Sequence, residues 1–469
     1  MPSTEDAMSK NTDYINSLDY DLDRLLALDL QPTSQPKFPN RERASGSVII
    51  CSKREINLDQ KIESSALLNP AAGVIFPGAV IKQDQTLAEG RPTPYRLARA
   101  PLTLRVELPG LEERSELRVE MPDYTSVSIA IEKTVNTWLK DTGGYFPPMR
   151  AFSSSHKSYT QEQIGISLGF GAQWGKNSAT ANLKSSSNDS ETIVYRVFRQ
   201  IYYTVVAQDP QEAGDVFDAS VTLTKDNMPY TEPPGFVRSV DYGRIMIVQM
   251  RTSEHVSEHD AEAALDISTG GVEVSAETRD KYESIANVSS FQAIVLGAGE
   301  GSTPLLVGEI DKIREVIEKG IVLAKDNLGY PISYVVADLK SAKVSEIRNT
   351  TRYVEVDRKV LSDRLITVRH RGGYAAKFDV TWNEVDEAAS TDDKTAFASR
   401  SWTSHGKTNP YDCTLPPFPG DARDFMVKAT NDTWIAWDKH HTAFKSYPTL
   451  DRDRIITIRG TTMNMTIED

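Results

Sequence analysis

The stretch IGISLGFGAQWGKNSATANL, residues 164–183, decides how the fold of this chain is interpreted. Up to residue 174 every even position is apolar, and every odd position is Gly, Ser or Gln. Turn-forming residues follow at 175–178, and the alternation then resumes. Because successive side chains of a strand point to opposite faces, the pattern predicts a β-hairpin with one apolar face and one face of small residues.

Two environments accommodate such a hairpin. In a soluble sheet the apolar face packs on a core while the other face meets water. In a bilayer the apolar face contacts lipid, and residues 164–174 match the about 9–11 residues that a tilted strand needs to cross it. The stretch alone leaves both environments open. The candidate lipid-facing residues are Ile164, Ile166, Leu168, Phe170, Ala172 and Trp174.

A second alternating segment lies at 260–276, DAEAALDISTGGVEVSA. Since Ala and Leu also favour helices, its first half is equally compatible with helical turns. Neither segment carries a charge on its apolar face, where a charge would cost about 2–4 kcal/mol at the bilayer midplane. The pair therefore favours membrane hairpins. The lipid-facing candidates of the second segment are Ala263, Leu265, Ile267, Val272 and Val274.

Charge, cysteine count and hydrophobic runs exclude several classes of protein. The chain has 469 residues, enough for several domains, and a net charge of −13, which argues against a nucleic-acid partner. Its two cysteines, Cys51 and Cys413, favour reduced thiols over a disulfide framework. No run of 18 apolar residues predicts a transmembrane helix. The acidic N-terminal sequence lacks the basic and apolar regions of a signal peptide, so we expect a chain synthesised as a soluble protein.

Helix and strand patterns change along the chain, which indicates an α+β fold. Residues 14–30 predict a helix, and 308–320 predict another. Long runs of β-branched and aromatic residues at 191–207, 243–252 and 290–299 predict strands. The last 110 or so residues are almost all strand patterns, as in a β-sandwich of about 100 residues.

The segments FRQIYYTVVAQDPQEAGDVFDASVT, VDYGRIMIVQMRTS, SSFQAIVLGAG, YPISYVVADL, GGYAAKFDVTWNEV and RIITIRGTTM follow one another in this order. Their order and number, over nearly the whole chain, resemble the cholesterol-dependent cytolysins, also called thiol-activated cytolysins. The resemblance implies an elongated four-domain α+β fold (MACPF/CDC-like) with a twisted antiparallel sheet, helical bundles and an all-β C-terminal sandwich. The implied domains are 1–25, 58–150, 198–245 and 318–345 (domain 1); 26–57 and 346–360 (domain 2, a β-linker); 151–197 and 246–317 (domain 3, pore-forming); and 361–469 (domain 4, membrane-binding).

The function implied by the resemblance is that of a pore-forming toxin. A soluble monomer or dimer would bind a target-cell membrane through domain 4, acting extracellularly, with cholesterol, another lipid or a glycan as receptor. It would assemble into a homo-oligomeric ring and insert two hairpin regions, 157–186 and 255–285, as a large transmembrane β-barrel. Closure of a barrel satisfies every backbone hydrogen-bonding group, as a bilayer requires. No enzymatic activity, cofactor, metal or nucleic acid is expected.

Four residues of domain 3 correspond to family positions that act during assembly. Tyr159 and Phe291 match the aromatic pair that sets the strand register between neighbouring monomers, a role that suits cross-strand aromatic contacts. Gly297 and Ala298 stand where the family has a Gly-Gly hinge at the end of a strand.

The family's tryptophan-rich undecapeptide corresponds to NDTWIAWDKHH, residues 431–441. Trp437 and Ala436 match, and Ile435 replaces Leu. Asp432 stands at the family's Cys position, so we expect no thiol sensitivity. The other undecapeptide-equivalent residues are Asn431, Thr433, Trp434 (Gly in the family), Asp438, Lys439 and His440 (an adjacent Trp pair in the family) and His441 (Arg in the family).

The family's cholesterol-recognition pair, Thr-Leu, corresponds to Thr462 and Met463. Thr keeps a hydroxyl for a sterol 3-OH group, and Met is a flexible apolar substitute for Leu. With Trp434–Trp437, this pair is the predicted membrane-binding and cholesterol-binding tip.

Two alternative functions stay open: a cytolysin-fold binding protein that has lost cholesterol-dependent lysis, and a pore-former that uses a non-sterol receptor. The glycine-containing loop at 296–303 does not open directly onto a helix, and His255 and His259 do not form the H-E-x-x-H zinc motif, so nucleotide and metal binding are disfavoured. Because each glycine costs about 1 kcal/mol inside a helix, we expect 164–176 to be poorly helical or partly extended in the monomer.

Overall fold

A computed structural model describes residues 4–35, 38–68, 73–144, 146–174, 176, 180, 183, 187, 191–253, 256–270, 274–297, 305–308, 310–319, 322–391, 394–432 and 440–469. The chain divides into two compact units, residues 1–37 with 53–356 and residues 38–52 with 357–469. The first unit contains all the helices within the described ranges. They are α1 Thr4–Ser17, α2 Leu22–Leu25, α3 Gln85–Ala88, α4 Tyr124–Thr142, α5 Gln161–Ser167, α6 Glu258–Ser268, α7 Ala276–Asn287 and α8 Ile310–Lys319.

Strands and short 3₁₀ helices (Glu112–Ser115, Gly171–Gln173 and Ala213–Val216, all in the first unit) make up the rest of the described regular structure. The strands are β1 Ala27–Asp29, β2 Arg41–Ala44, β3 Ser47–Ile62, β4 Ser64–Ala66, β5 Val80–Lys82, β6 Leu102–Glu107, β7 Glu116–Val119, β8 Arg150–Lys157, β9 Glu191–Ala207, β10 Pro234–Ser253, β11 Ser290–Leu296, β12 Leu305–Gly308, β13 Tyr330–Asp338, β14 Ile347–Ser362, β15 Ile366–His370, β16 Ala375–Val385, β17 Phe397–Thr403, β18 Tyr411–Thr414, β19 Arg423–Asp432, β20 Thr442–Thr449, β21 Arg454–Gly460 and β22 Met465–Glu468.

The predicted single helix over 14–30 is wrong. Helix α1 ends at Ser17, and the Asp21 carboxylate accepts a hydrogen bond from the Arg24 backbone amide, so that it caps a separate short helix. Strand β1 then pairs in parallel with residues 348–350 of β14. Tertiary strand pairing has overridden the helical spacing of the leucines in this segment.

The first unit is organised around two long antiparallel strands, β9 and β10, which pair along almost their whole length. At the far end of the pair, β11 and then β12 extend the sheet beyond β10, and β8 pairs with β9 on the other side. The predicted strands at 191–207 and 243–252 are confirmed. A register shift between Tyr242 and Gly243 separates this end of β10 from the end that pairs with β13.

The second unit contains two four-stranded sheets, in the strand orders β18-β15-β21-β22 and β17-β16-β19-β20. Buried residues of both sheets, such as Ile456 of one and Phe425 of the other, belong to one hydrophobic core. Phe418 and Phe425 meet edge to face, with ring centroids 5.2 Å apart. This arrangement is the expected C-terminal β-sandwich. Across the described part of the chain, no helix is both long and apolar enough to span a membrane.

The two phenylalanines of neighbouring strands in this sandwich provide a matched test of its core. Phe425 of β19 is 1 % exposed, whereas Phe444 of β20 is 64 % exposed. We expect Phe425→Ala to lower the free energy of unfolding by about 3–5 kcal/mol through lost burial and a cavity. Phe444→Ala should change it by less than about 0.5 kcal/mol. Urea unfolding of both variants measures this, and equal losses would contradict the assignment of the core.

Candidate functional site

The predicted lipid-facing residues of the first hairpin segment are all buried in this structure: Ile164, Ile166, Leu168, Phe170, Ala172 and Trp174. Four of them (Ile164, Leu168, Phe170 and Trp174) pack in one core with Ile193, Tyr195 and Val197 of β9. The Trp174 ring meets the Tyr195 ring edge to face, 5.5 Å between centroids. The apolar face expected for lipid is therefore hidden against one face of the β9–β10 sheet.

The backbone of this segment explains the outcome of the helicity prediction. Helix α5 begins after Thr160, whose hydroxyl accepts a hydrogen bond from the Gln163 amide, and it ends at Ser167. Gly169 and Gly171 then take positive φ angles of 76° and 53°, which a continued helix does not allow. The prediction is wrong for residues 164–167, which are α-helical. It is confirmed for residues 168–174, where the α-helix has stopped and the only regular structure is a three-residue 3₁₀ helix, Gly171–Gln173.

The second hairpin segment is helical here, as its alanines and leucine allowed. Helices α6 and α7 cover most of its described residues, and Leu265 is buried while Ala263, Ile267 and Val274 are half-buried. Val272 lies outside the described residues. Leu265 packs in one core with Val194 of β9 and with Met246 and Val248 of β10. These residues of β9 and β10 alternate with those beneath α5, so the two hairpin segments cover opposite faces of the same sheet.

Two arginines of β9, not identified from the sequence, hold the two segments. Arg199 donates from Nη2 to the Leu168 carbonyl at 2.9 Å, and its guanidinium lies 5.7 Å from the centre of the Phe170 ring. Arg196 donates from Nη1 to the Asp266 carbonyl and to the Thr269 hydroxyl, both at 2.7 Å. Burial lowers the pKa of both guanidinium groups.

A sequence signal for these arginines does exist. They are the only charged residues in the run 192–207, most of which is apolar or aromatic, and they stand three positions apart. An odd and an even position of a strand point to opposite faces, so one arginine is directed at each hairpin segment.

The residues expected to set register lie apart in the monomer. The Tyr159 hydroxyl donates to the Val356 carbonyl at 3.0 Å, and its ring stacks on Tyr353 at 5.6 Å. Phe291 is buried in β11, where it is paired with Met250 of β10 and with Gly308 of β12. Both aromatic rings are thus covered in this conformation, and their part in assembly stays a prediction.

Strand β12 covers the outer edge of β11, and Arg244 of β10 secures the helix that follows β12. Arg244 Nη2 donates to the carbonyls of Val316 and Ile317, in the last part of α8, at 3.1 and 2.8 Å. A cation at this end of a helix also complements the helix dipole. Burial lowers the pKa of Arg244, whose Nε donates to the Gln200 side chain.

The hinge residue Gly297 lies directly after β11 and has a φ angle of 85°. A Cβ atom placed on it would lie 2.7 Å from the Gly243 carbonyl oxygen, so only glycine fits this conformation and this close approach. Ala298 lies outside the described residues. The glycine half of the predicted hinge therefore stands at a position where both backbone angle and space demand it.

The predicted membrane-binding tip is described in part. Residues 433–439, with Trp434, Ile435, Ala436 and Trp437, and the Asp432 side chain lie outside the described part. The Met463 side chain is 83 % exposed in a turn, and Thr462 beside it is half-buried. Asn431 Nδ2 donates to the Thr462 carbonyl at 3.0 Å. In the described part of the chain, no three His, Cys, Asp or Glu side chains form a group suited to a metal ion.

Comparison with known proteins gives matches over nearly the whole chain. Residues 11–361 match the family model of thiol-activated cytolysins, and residues 365–466 match that of the thiol-activated cytolysin β-sandwich domain. Perfringolysin O of Clostridium perfringens is 28 % identical over 459 residues, covering 96 % of this chain and 90 % of that protein. The structure of pneumolysin superposes with a TM-score of 0.84 at 26 % identity, covering 99 % of both chains. Intermedilysin, in a disulfide-locked mutant solved with human CD59, gives a TM-score of 0.80 at 27 % identity and covers 100 % of this chain and 99 % of its own.

The contact of Arg244 with α8 generates a prediction about the edge of the sheet. Arg244→Met removes the cap of α8, and charge-assisted hydrogen bonds are worth about 1.5–3 kcal/mol each. We therefore expect β12 and α8 to open more often and the backbone amides of β11 to exchange hydrogen about 10–100-fold faster. Native-state hydrogen exchange measures this.

The control for this variant is Arg238→Met, in the same strand, because Arg238 pairs at 2.9 Å with Asp209, a half-exposed carboxylate away from α8. It should leave exchange in β11 unchanged. Equal acceleration by both variants would show that Arg244 does not secure the β12–α8 segment.

Proposed function

Because this chain belongs to the thiol-activated cytolysin family and is a pore-forming cytolysin, we propose that residues 157–186 and 255–285 are its transmembrane hairpins. The family consists of pore-forming toxins that bind target membranes and oligomerise, and its members act outside the producing cell. We infer that this chain follows the same course without catalysing a reaction. Its membrane-binding unit would be domain 4, within the four domains expected from the sequence.

The observation that carries the proposal is the burial of an alternating apolar face. Residues 164–174 have the period of a strand, yet they form the end of α5 and a short 3₁₀ helix packed against β9 and β10. When such a sequence becomes a lipid-facing strand, its apolar side chains move from the protein core into the hydrocarbon of the bilayer. Transfer from core to lipid keeps the apolar surface out of water, and barrel closure pairs the new backbone groups.

The proposed sequence of events begins at the membrane and ends in the sheet. Trp434–Trp437 together with Thr462 and Met463 bind the bilayer. The β12–α8 segment then leaves the edge of β11, and a neighbouring copy pairs with that edge, since an uncovered strand edge is a template for pairing. Tyr159 and Phe291 set the register of this pairing, and Gly297 with Ala298 allows the edge to open.

Cholesterol is the receptor that we propose first, because Thr462 and Met463 match the recognition pair. A receptor of another kind is the second candidate, supported by the changes in residues 431–441 and by the relation to intermedilysin, whose structure was solved with human CD59. Loss of lysis on an intact fold is the less favoured alternative. Charges would be tolerated on the apolar faces of the two alternating segments, 164–183 and 260–276, after such a loss, and none is found on those faces.

Dye release from liposomes across a series of cholesterol contents, with pelleting to score binding, tests the proposal. Release that rises with cholesterol supports the pore and the sterol together. Sterol-independent release keeps the pore and moves recognition to another lipid. Binding and release absent from liposomes and from whole cells alike would contradict pore formation.

Met463 offers a test of the membrane-binding tip. Burying a methionine side chain is worth about 1.5–3 kcal/mol, so Met463→Asp should weaken membrane binding about 10–100-fold. Because Met463 is 83 % exposed, the unfolding temperature should not change. Met426→Asp, at a 38 % exposed position within β19, is the matched control and should bind as the native chain does. Equal binding by both variants in pelleting assays would exclude Met463 from the tip.

Ile267 offers a test of the second hairpin. Ile267→Glu places a charge on the proposed lipid-facing side, at a cost of about 2–4 kcal/mol near the bilayer midplane. The side chain is half-buried in α6, so folding and membrane binding should persist while dye release falls. Ile267→Leu, which preserves volume and apolarity, should release dye normally. Full release by the Glu variant would place residue 267 outside the lipid-facing row.

A further inference from the structure

Asn431 lies at the base of the predicted membrane-binding tip, one residue before the end of β19 at Asp432. Its residue exposure is only 1 %. A buried amide side chain requires partners for its carbonyl and its NH₂ group, and the cost of leaving either unpaired is high. The partners of Asn431 come from two different segments of the tip.

The first segment is the tryptophan-containing stretch that ends at His441. The His441 backbone amide donates to Asn431 Oδ1 at 2.6 Å, and the Asn431 amide donates to the His441 carbonyl at 3.1 Å. The His440 Nδ1 atom lies 3.0 Å from the Asn431 carbonyl oxygen. Asn431 therefore fixes where this segment returns to the sandwich.

The second segment is the turn that carries Thr462 and Met463. Thr461 and Asn464 exchange backbone hydrogen bonds of 3.1 and 3.2 Å across this turn. Gly460 before it has a φ angle of 91°, and a Cβ atom there would lie 2.1 Å from the Asn464 carbonyl oxygen. Asn431 Nδ2 donates to the Thr462 carbonyl at 3.0 Å, and so joins this turn to the base of the first segment.

We propose that Asn431 is a positioning residue that couples the two membrane-contacting segments into one unit. The inference rests on the proposed function. Its Oδ1 atom accepts a hydrogen bond from the first segment and its Nδ2 atom donates one to the second. A displacement of either segment therefore strains the hydrogen bond to the other. These bonds hold His441 and the Thr462 turn in place before binding, which reduces the ordering required at the membrane.

Asn431→Asp separates the two bonds. The carboxylate still accepts from the His441 amide, but it has no hydrogen to donate to the Thr462 carbonyl and repels it. Met426→Asp is the matched control, because it adds the same charge at a 38 % exposed position of β19, outside both membrane-contacting segments, and leaves the Asn431 side chain untouched. We expect membrane binding to fall at least tenfold in Asn431→Asp and less than threefold in Met426→Asp.

A double-mutant cycle distinguishes coupling from a structural loss. Trp437→Ala and Met463→Ala, measured singly and together in pelleting assays, should lose binding non-additively in the native background. In the Asn431→Asp background the two losses of binding free energy should simply add, as expected for independent sites. Additive losses in the native background, or an unchanged cycle in Asn431→Asp, would overturn the proposal.

A measurement without membranes keeps the inference independent of the proposed function. Gly460→Ala displaces the turn that holds Thr462, and we expect hydrogen exchange at the His441 amide to accelerate at least tenfold in the full-length chain. An unaffected His441 amide would overturn the coupling even if the protein forms pores. Absence of pores with an accelerated amide would instead retain the coupling and remove its proposed use.

Discussion

The burial of two alternating apolar faces, complete for residues 164–174 and partial for the described part of residues 260–276, governs how the first unit is built. A segment that is to face lipid must keep its apolar side chains out of water until a membrane is present. Here the β9–β10 sheet does this on both of its faces, with the α5 segment on one side and α6 on the other. Each side is secured by one arginine of β9, through carbonyl and hydroxyl groups that the hairpin segments themselves supply.

The hydrogen bonds of these arginines are well suited to release. Arg199 binds a backbone carbonyl just after α5, and that carbonyl exists in this position only while the segment is coiled. Arg196 combines a carbonyl and a hydroxyl with the Asp266 carboxylate, 3.3 Å away. When either segment unwinds, the hydrogen bonds between that segment and its arginine are lost. Two glycines allow close approach of the backbone in the same sheet. A Cβ atom on Gly243 would collide with the Gln200 carbonyl oxygen of β9, and one on Gly297 with the Gly243 carbonyl oxygen of β10.

Much of the fold was predictable from the sequence because strand periodicity and apolar runs are local. The boundaries of β9 agree with the predicted strand, and the C-terminal sandwich follows from repeated short strands. The conformation of residues 164–174 was harder to predict, since a period of two does not reveal that a short α-helix and a 3₁₀ helix bury the same side chains. Residues 14–30 failed for a related reason, because β1 exists only through its non-local partner β14. Asn431 was placed in the tip by resemblance, but its bond to Thr462 joins residues 31 positions apart and leaves no trace in composition or spacing.

In the proposed mechanism, residues 164–174 change from a short α-helix and a 3₁₀ helix in the monomer to a membrane-spanning strand. Spin labels placed one at a time along this stretch, with Cys51 and Cys413 replaced and lytic activity verified, report accessibility to oxygen and to a water-soluble nickel complex in membrane-bound protein. A lipid-facing strand should give a period of two, with even positions accessible to oxygen and odd positions to nickel. A period of three to four residues, or values unchanged from those of the protein in solution, would contradict it.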